Sequence, residues 1–314
     1  MPIRVMDNAI GFSQASTRHA NPYVVGRPLA GASAALYFGR EEVFEWLAEN
    51  LTGTAQPNAL LLYGRRRIGK TSTLYQLVEG ERGRALSHDC ARPLAPAYID
   101  LQRLAGRPTD EWLRLLAREI CRRVGTSGLE RSVPDSGPPG ETAYAAFDRC
   151  LDRLEQTTPA GSLILLAVDE FEQIQSGIAA GTLDEAVLPF LRSQIQHRQR
   201  VAFLISGAHG LLDPFWRPIT DLTARYELGP LTPEQAEALI CRPVAGTLDY
   251  DAAAVAAIWQ VTGGHPFLIQ TLCHRLVSRM NRRGQAVIAA DDVAHVIEQL
   301  TAEGVWEPAV EMAR

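Results

Sequence analysis

The sequence predicts an α/β protein: a parallel sheet with helices on both faces, followed by a smaller all-helical unit. Three observations carry that expectation. Short apolar runs alternate with segments of helical spacing between residues 59 and 230. One of these runs is cut off by a glycine-bounded turn that opens directly into a helix. After Pro230 every patterned segment is helical.

Residues 1–35 lack periodicity and read as an extended lead-in or a partly disordered arm. In FGREEVFEWLAENL (38–51), Val43, Phe44, Leu47 and Leu51 fall at helical spacing. ALLLYG (59–64) is a short apolar run ended by glycine, the form of a strand buried on both faces. Helical spacing resumes at Thr71 and runs through Leu74, Leu77 and Val78. PAYIDL (96–101) is a second strand, and Trp112, Leu115, Leu116 and Ile120 mark a helix. A polar loop rich in proline and glycine covers 125–141, and a helix from Tyr144 to Leu154 follows. SLILLAVDEFEQI (162–174) holds the strongest strand. A helix near 183–197 and strands in VAFLISG (201–207) and RYELGPL (225–231) complete the pattern. Strands and helices alternating at this spacing imply right-handed βαβ units, which places the core at 36–230. At 231–314, Thr232 is a helix N-cap, Pro233 takes the first helical position, and Gln235 stands three residues beyond the cap. Further helical patterns lie at 251–262, 266–282 and 291–303.

The bulk numbers exclude several classes. With 314 residues, 46% hydrophobic and 21% charged, the chain has an ordinary globular composition. A net charge of −5 gives no whole-chain reason to expect nucleic acid or an anionic membrane as partner. No apolar run approaches the ~18 residues of a membrane span, and the start shows no apolar signal segment, so a cytoplasmic location is expected. The five cysteines form no CxxC pair and no group with histidines, which reads as a set of reduced thiols.

GRRRIGKT (64–71) matches GxxxxGK[ST] in full and sits between a strand and a helix, the context this motif requires. Its glycines let the backbone turn its N–H groups inward as an anion nest. The helix adds the positive end of its dipole. The phosphate-binding set is therefore Gly64, Arg65, Arg66, Arg67, Ile68, Gly69, Lys70, Thr71 and Ser72. The chain has 31 lysines and arginines, and Lys70 is the one lysine. A compact ammonium reaches between two phosphates where a broad guanidinium does not. Thr71 supplies a hydroxyl for Mg²⁺.

A second constellation ends the 162–174 strand. Asp169 at the tip of an apolar strand is costly to bury without a cation to face, and it is placed to hold Mg²⁺. Glu170 follows and can polarise an attacking water. The alternative is a plain strand-to-helix turn with the aspartate as a cap. Ser206 and His209, at the end of a later strand, both qualify to contact a terminal phosphate. Arg225 can reach the phosphates of its own or a neighbouring subunit, or bind the scaffold in a salt bridge.

Together these residues resemble the STAND class of P-loop ATPases, signal-transduction relatives of the AAA+ and origin-recognition ATPases. The resemblance covers about residues 21 to 300. NPYVVGRPL (21–29, with Val25) and YFGREE (37–42) are similar to the class's adenine-side lead-in. The 64–71 and 167–174 segments are similar to its Walker A and Walker B elements, and Gly264, His265 and Pro266 to its GxP element. The resemblance implies a three-layer α/β/α core with a five-stranded sheet of order 5-1-4-3-2 and a helical lid. It implies ATP/ADP and Mg²⁺ as ligands, with Pro266 presenting an apolar face to the purine. It also implies a slow ATP-driven switch, closed with ADP and self-associating with ATP, that works with sensor and effector modules in the same chain or separate ones. Class members commonly continue into a winged helix and repeats. No such module is expected after residue 304 of this sequence, which reads as an excised core or as a short protein working with separate partners and leaves the output open. Two other functions compete: an assembly scaffold that holds nucleotide with little hydrolysis, and a DNA-acting initiator or helicase loader.

Overall fold

The computed structural model describes residues 19–52, 59–89, 93–124 and 140–306. Nearly all of the polar loop expected at 125–141 lies outside them, as does most of the lead-in.

The core runs α1 (Glu41–Thr52), β1 (Ala59–Tyr63), α2 (Lys70–Val78), α3 (Glu81–Asp89), β2 (Leu94–Asp100), α4 (Thr109–Arg123), α5 (Ala143–Thr157), β3 (Leu163–Asp169), α6 (Gln173–Ala179), α7 (Val187–His197), β4 (Val201–Gly207), α8 (Arg217–Thr220) and β5 (Thr223–Glu227). The five strands form one parallel sheet ordered β2-β3-β4-β1-β5, which is the expected order read from the other edge.

Every residue of β3 and β4 is buried, so both strands read as unbroken apolar runs. The period of two is still present underneath. Ile164, Leu166 and Val168 face one cluster with α4, α5 and α7, whereas Leu163, Leu165 and Ala167 face the other with α1 and α2. At roughly 25 cal/mol per Å² of apolar area, this two-sided burial is the main favourable term of the core. Helices α3 and α6 have weak sequence signatures. In α6 only Ile174 is buried, which leaves no periodic stripe to read.

The C-terminal unit consists of α9 (Pro233–Cys241), β6 (Asp249–Tyr250), α10 (Ala252–Thr262), α11 (Pro266–Arg283), β7 (Val287–Ile288) and α12 (Ala290–Ala302). It has its own core, centred on Leu268, Leu272 and Leu276 of α11. The Thr232–Gln235 capping box is formed: the Gln235 N–H donates to Thr232 Oγ1 at 3.3 Å and the Thr232 N–H to Gln235 Oε1 at 3.2 Å. The expectation of an all-helical unit needs one correction. β6 and β7 pair in parallel as a two-residue ladder, too short to leave a period in the sequence.

Residues 19–36 run from this unit to the core. His19 and Asn281 exchange two hydrogen bonds. The Tyr23 ring is buried in the helical core, and its hydroxyl donates to the Ile240 carbonyl. Further on, the Leu29 N–H donates to Ser72 Oγ at 3.0 Å on α2.

Two of the cysteines depart from the expectation of free thiols. Cys121 of α4 and Cys150 of α5, 29 residues apart in sequence, are joined in the structure as a disulfide between the two helices. Among the described residues Cys241 and Cys273 remain free.

Candidate functional site

Parallel strands aim their carboxyl ends the same way, so the tips of β1, β3 and β4 gather at one edge of the sheet. β1 leads into the 64–71 turn. A side chain at Gly64 would put its Cβ 2.6 Å from the Leu228 carbonyl, so only glycine lets this turn pass the segment leaving β5. Gly69 caps α2 in a left-handed conformation, with φ 110°.

Lys70 Nζ donates to the carbonyls of Gly64 and Arg65 at 2.9 and 3.0 Å. Burial pushes its pKa down, while Asp169, Glu172 and Glu170 pull it up. Thr71 Oγ1 donates to Asp169 Oδ2 at 2.7 Å, and the Tyr98 hydroxyl donates to the same oxygen at 3.2 Å. The lysine and threonine at the start of α2 and the acid at the tip of β3 are therefore brought together across 98 residues of sequence.

Glu170 adopts a left-handed backbone conformation with φ 53°. Burial raises its pKa above the ordinary glutamate value, and the neighbouring Glu172 and Asp169 raise it further. Glu172 Oε1 accepts the Ala208 N–H at 3.1 Å, which ties this segment to the end of β4.

These groups open onto a cavity of about 490 Å³ between the core and the helical unit, a size that suits a small-molecule ligand. One wall is the 24–29 segment except Val25, together with Tyr37, Phe38 and Arg40. A second wall is the 66–72 turn with Glu170 and Glu172, and a third is Leu231, Leu239, Pro266, Phe267 and Gln270 of the helical unit. The unit grips the turn directly. His265 Nε2 lies 3.3 Å from the Arg66 carbonyl, and the Arg67 guanidinium stands 4.3 Å over the Phe267 ring.

The structure assembles most of the residues chosen from sequence. Arg66, Arg67, Ile68, Gly69, Lys70, Thr71, Ser72, Glu170 and Pro266 line the cavity. Gly64 and Arg65 take part through their carbonyls on Lys70. Val25 is 40% exposed and turns away, while Val24 and Gly26 line the wall. Ser206 is fully buried beneath the site, and its hydroxyl has no partner among the described residues. His209 Nε2 lies 3.1 Å from Glu227 Oε1, outside the lining. Arg225 is not a site residue within its own chain. It lies mid-strand in register with Leu61, and its guanidinium donates to the Thr220 carbonyl at 3.0 Å and to Asp221 Oδ1 at 3.4 Å.

Sequence reasoning missed Arg40, Glu172, Phe267 and Gln270, all of which line the cavity. The acidic run Asp169, Glu170, Glu172 carried a signal for the second; for the others only the lead-in and GxP segments marked the neighbourhood.

No family model matches the chain. Among curated proteins, it is 24% identical over 179 residues to General secretion pathway protein A of Aeromonas hydrophila. That match takes in 53% of this chain and 32% of the relative, so the chain spans about a third of that protein's length. Among solved structures it is similar to the Aeropyrum pernix ORC1 protein in complex with DNA (TM-score 0.57, 17% identity, 85% of this chain and 68% of that one). It is also similar to the Aeropyrum pernix ORC2 protein in ADPNP-ADP complexes (0.57, 14%, 88% and 70%). A third likeness is to the Thermotoga maritima RuvB Holliday junction branch migration motor (0.51, 17%, 87% and 72%). At these identities the likeness establishes the fold alone, a five-stranded parallel α/β sheet followed by a helical C-terminal part.

Proposed function

We propose that this chain is a Mg²⁺-dependent, ATP-binding and ATP-hydrolysing switch of the STAND kind, in which nucleotide state sets the position of the helical unit. One observation carries the reading: Lys70 and Thr71 line a cavity whose walls come from both the core and the helical unit, and Thr71 is hydrogen-bonded to the buried Asp169 behind it.

The residues present fit the ligands. A hydroxyl and a carboxylate oxygen 2.7 Å apart form a hard-oxygen donor pair suited to magnesium. Thr71 and Asp169 would hold that ion, which when bound neutralises charge on the β- and γ-phosphate oxygens. The N–H groups of the 64–71 turn cradle the phosphates. Lys70 exchanges its two carbonyl partners for phosphate oxygens. Glu170, on the cavity wall directly after Asp169, takes the proton of the attacking water. Pro266 and Phe267 give the base an apolar floor, and the 24–29 segment closes over it. Turnover is slow, the ATP form self-associates, and sensor or effector modules, fused or separate, complete the switch in the cytoplasm.

Calorimetry with Mg-ATP and phosphate release under single turnover test this reading. Wild type must bind ATP and release phosphate, and a chain that binds no nucleotide refutes the proposal. Binding with no measurable release would favour the assembly scaffold instead. A DNA-acting role is a second reading, favoured by the likeness to the ORC1 protein in complex with DNA. Duplex binding that weakens steeply with salt is its signature.

A further inference from the structure

We propose that Arg40 is a positioning residue that makes the phosphate-binding turn and the linker into the helical unit respond as one body. The inference rests on the nucleotide-switch reading and deepens it. Arg40 is 7% exposed. A buried guanidinium calls for a compensating partner, yet among the described residues no carboxylate stands within ion-pair distance of it, and its hydrogen bonds go to carbonyls. Its two terminal nitrogens go to carbonyls of two different segments. Nη1 donates to Gly229 at 2.6 Å, in the stretch between β5 and α9, and Nη2 donates to Ile68 at 3.1 Å, in the phosphate-binding turn.

The Ile68 carbonyl belongs to the same rigid peptide plane as the Gly69 N–H. That N–H is one of the groups the turn offers to phosphate. By holding the carbonyl, Arg40 orients the N–H, and whatever moves the plane pulls on Gly229 through the other arm of the guanidinium fork. A planar fork spans two acceptors at a set angle, which a lysine cannot do.

The backbone is shaped to put the guanidinium there. Gly39 and Arg40 are both left-handed, with φ 69° and 71°. The elbow is pressed against α9: a Cβ on Gly39 would lie 2.4 Å from the Gln235 side chain. Gln235 is the third helical residue of α9 and a member of its capping box. Left-handed conformation in a non-glycine residue persists only where its surroundings hold it. Arg40, Arg67 and Glu170 are the non-glycine residues of this kind among those described, and all three line the cavity. The contacts His265–Arg66 and Arg67–Phe267 also join turn and helical unit, but the residues contributed by the turn are exposed. The Arg40 bridge is the buried link.

Hydrogen–deuterium exchange on the intact chain, with Mg-ADP and with a non-hydrolysable ATP analogue, tests this, alongside calorimetry and melting midpoints. In wild type, nucleotide slows exchange at 64–70 and at 228–241 by about tenfold or more. Arg40→Met and Arg40→Lys should still bind nucleotide, with affinity within about tenfold of wild type. In both, nucleotide should protect 64–70 but leave 228–241 within about twofold of the ligand-free rate. A merely structural arginine would lower the melting midpoint and leave that linkage intact. Full nucleotide-dependent protection of 228–241 in either variant overturns the proposal. So does complete loss of binding in a folded variant, since Arg40 would then be a ligand contact. Should the substitutions unfold the chain, wild type alone decides. Protection at 228–241 must rise over the same nucleotide concentrations as that at 64–70, and separate curves overturn the proposal. If wild type binds no nucleotide in calorimetry, the function reading itself has failed, a result distinct from lost linkage.

Discussion

Replacing Lys70 by alanine and, separately, by arginine asks what this lysine contributes. Its ammonium makes two hydrogen bonds to backbone carbonyls, at 2.9 and 3.0 Å. On nucleotide binding both are exchanged for bonds to charged phosphate oxygens. A bond to a charged group is worth about 1.5–3 kcal/mol and a neutral one about 1 kcal/mol. The exchange of two therefore contributes about 1–4 kcal/mol to ATP affinity, or roughly 5- to 1,000-fold in Kd. Lys70→Ala should lose that factor in calorimetry with Mg-ATP at fixed ionic strength. Lys70→Arg separates charge from shape. It keeps the cation, but the forked guanidinium does not fit where Nζ sits between the Gly64 and Arg65 carbonyls, so we expect a loss of about tenfold or more. A Kd for Lys70→Ala within fivefold of wild type would refute the assignment of this turn as the phosphate site. Wild-type affinity in Lys70→Arg would show that any cation suffices.

Three further predictions follow from the same geometry. Glu170→Gln removes the base but not the phosphate contacts, so phosphate release should fall by about 10²–10⁴ with ATP affinity retained; undiminished release would move the role to Glu172, the other carboxylate on the cavity wall. Burial holds the pKa of His265 below the ordinary histidine value, with Arg65 and Arg40 adding to the effect. The unfolded chain therefore takes up this proton first as pH falls through ~6.5, and the stabilisation present above that pH is lost on the way down to the folded-state value. Urea midpoints at pH 7.5 and 5.5 should differ more for wild type than for His265→Gln, and equal differences would contradict the sign. Gly264→Ala would place a Cβ 2.3 Å from the Leu231 carbonyl at φ +75°, whereas Gly246→Ala, at φ +79°, meets nothing within 4 Å. The first should cost about 2–4 kcal/mol and the second about 1 kcal/mol in denaturant unfolding, and equal losses would remove the steric argument.

What was legible in the sequence has a common cause. β3 and β4 are buried on both faces, so their apolar runs are unbroken and strong. The 64–71 turn and the capping box of α9 depend on local residue chemistry, which spacing alone reveals. The failures share a cause as well: each needed a boundary or a register that local spacing does not supply. β5 begins at Thr223, and that start makes Arg225 a mid-strand residue turned to the Thr220 carbonyl rather than a residue at the site. In the extended 24–29 segment the side facing the cavity is set by what it packs on, so Val24 and Val25 could not be told apart. Ser206 is a different case: it keeps a place beneath the site, on the face of β4 shared with Ala202 and Leu204. The meeting of Cys121 with Cys150 depends on how α4 lies against α5, a tertiary fact without a local motif.

The distribution of backbone strain supports the same site from an independent direction. A non-glycine residue in the left-handed region costs about 1–2 kcal/mol relative to its normal conformation, and glycine at the same place would avoid that cost. This chain contains 25 glycines, and many of the described ones take positive φ in turns away from the cavity. At Arg40, Arg67 and Glu170 it instead keeps charged side chains in that conformation. Each has an identifiable task there: a fork joining two carbonyls, a cation over the Phe267 ring, and a carboxylate beside Lys70 whose pKa burial raises. Fold stability alone does not account for the choice, because glycine would meet the backbone requirement in all three places. The side chains are what the strain retains, and all of them line the cavity between core and helical unit.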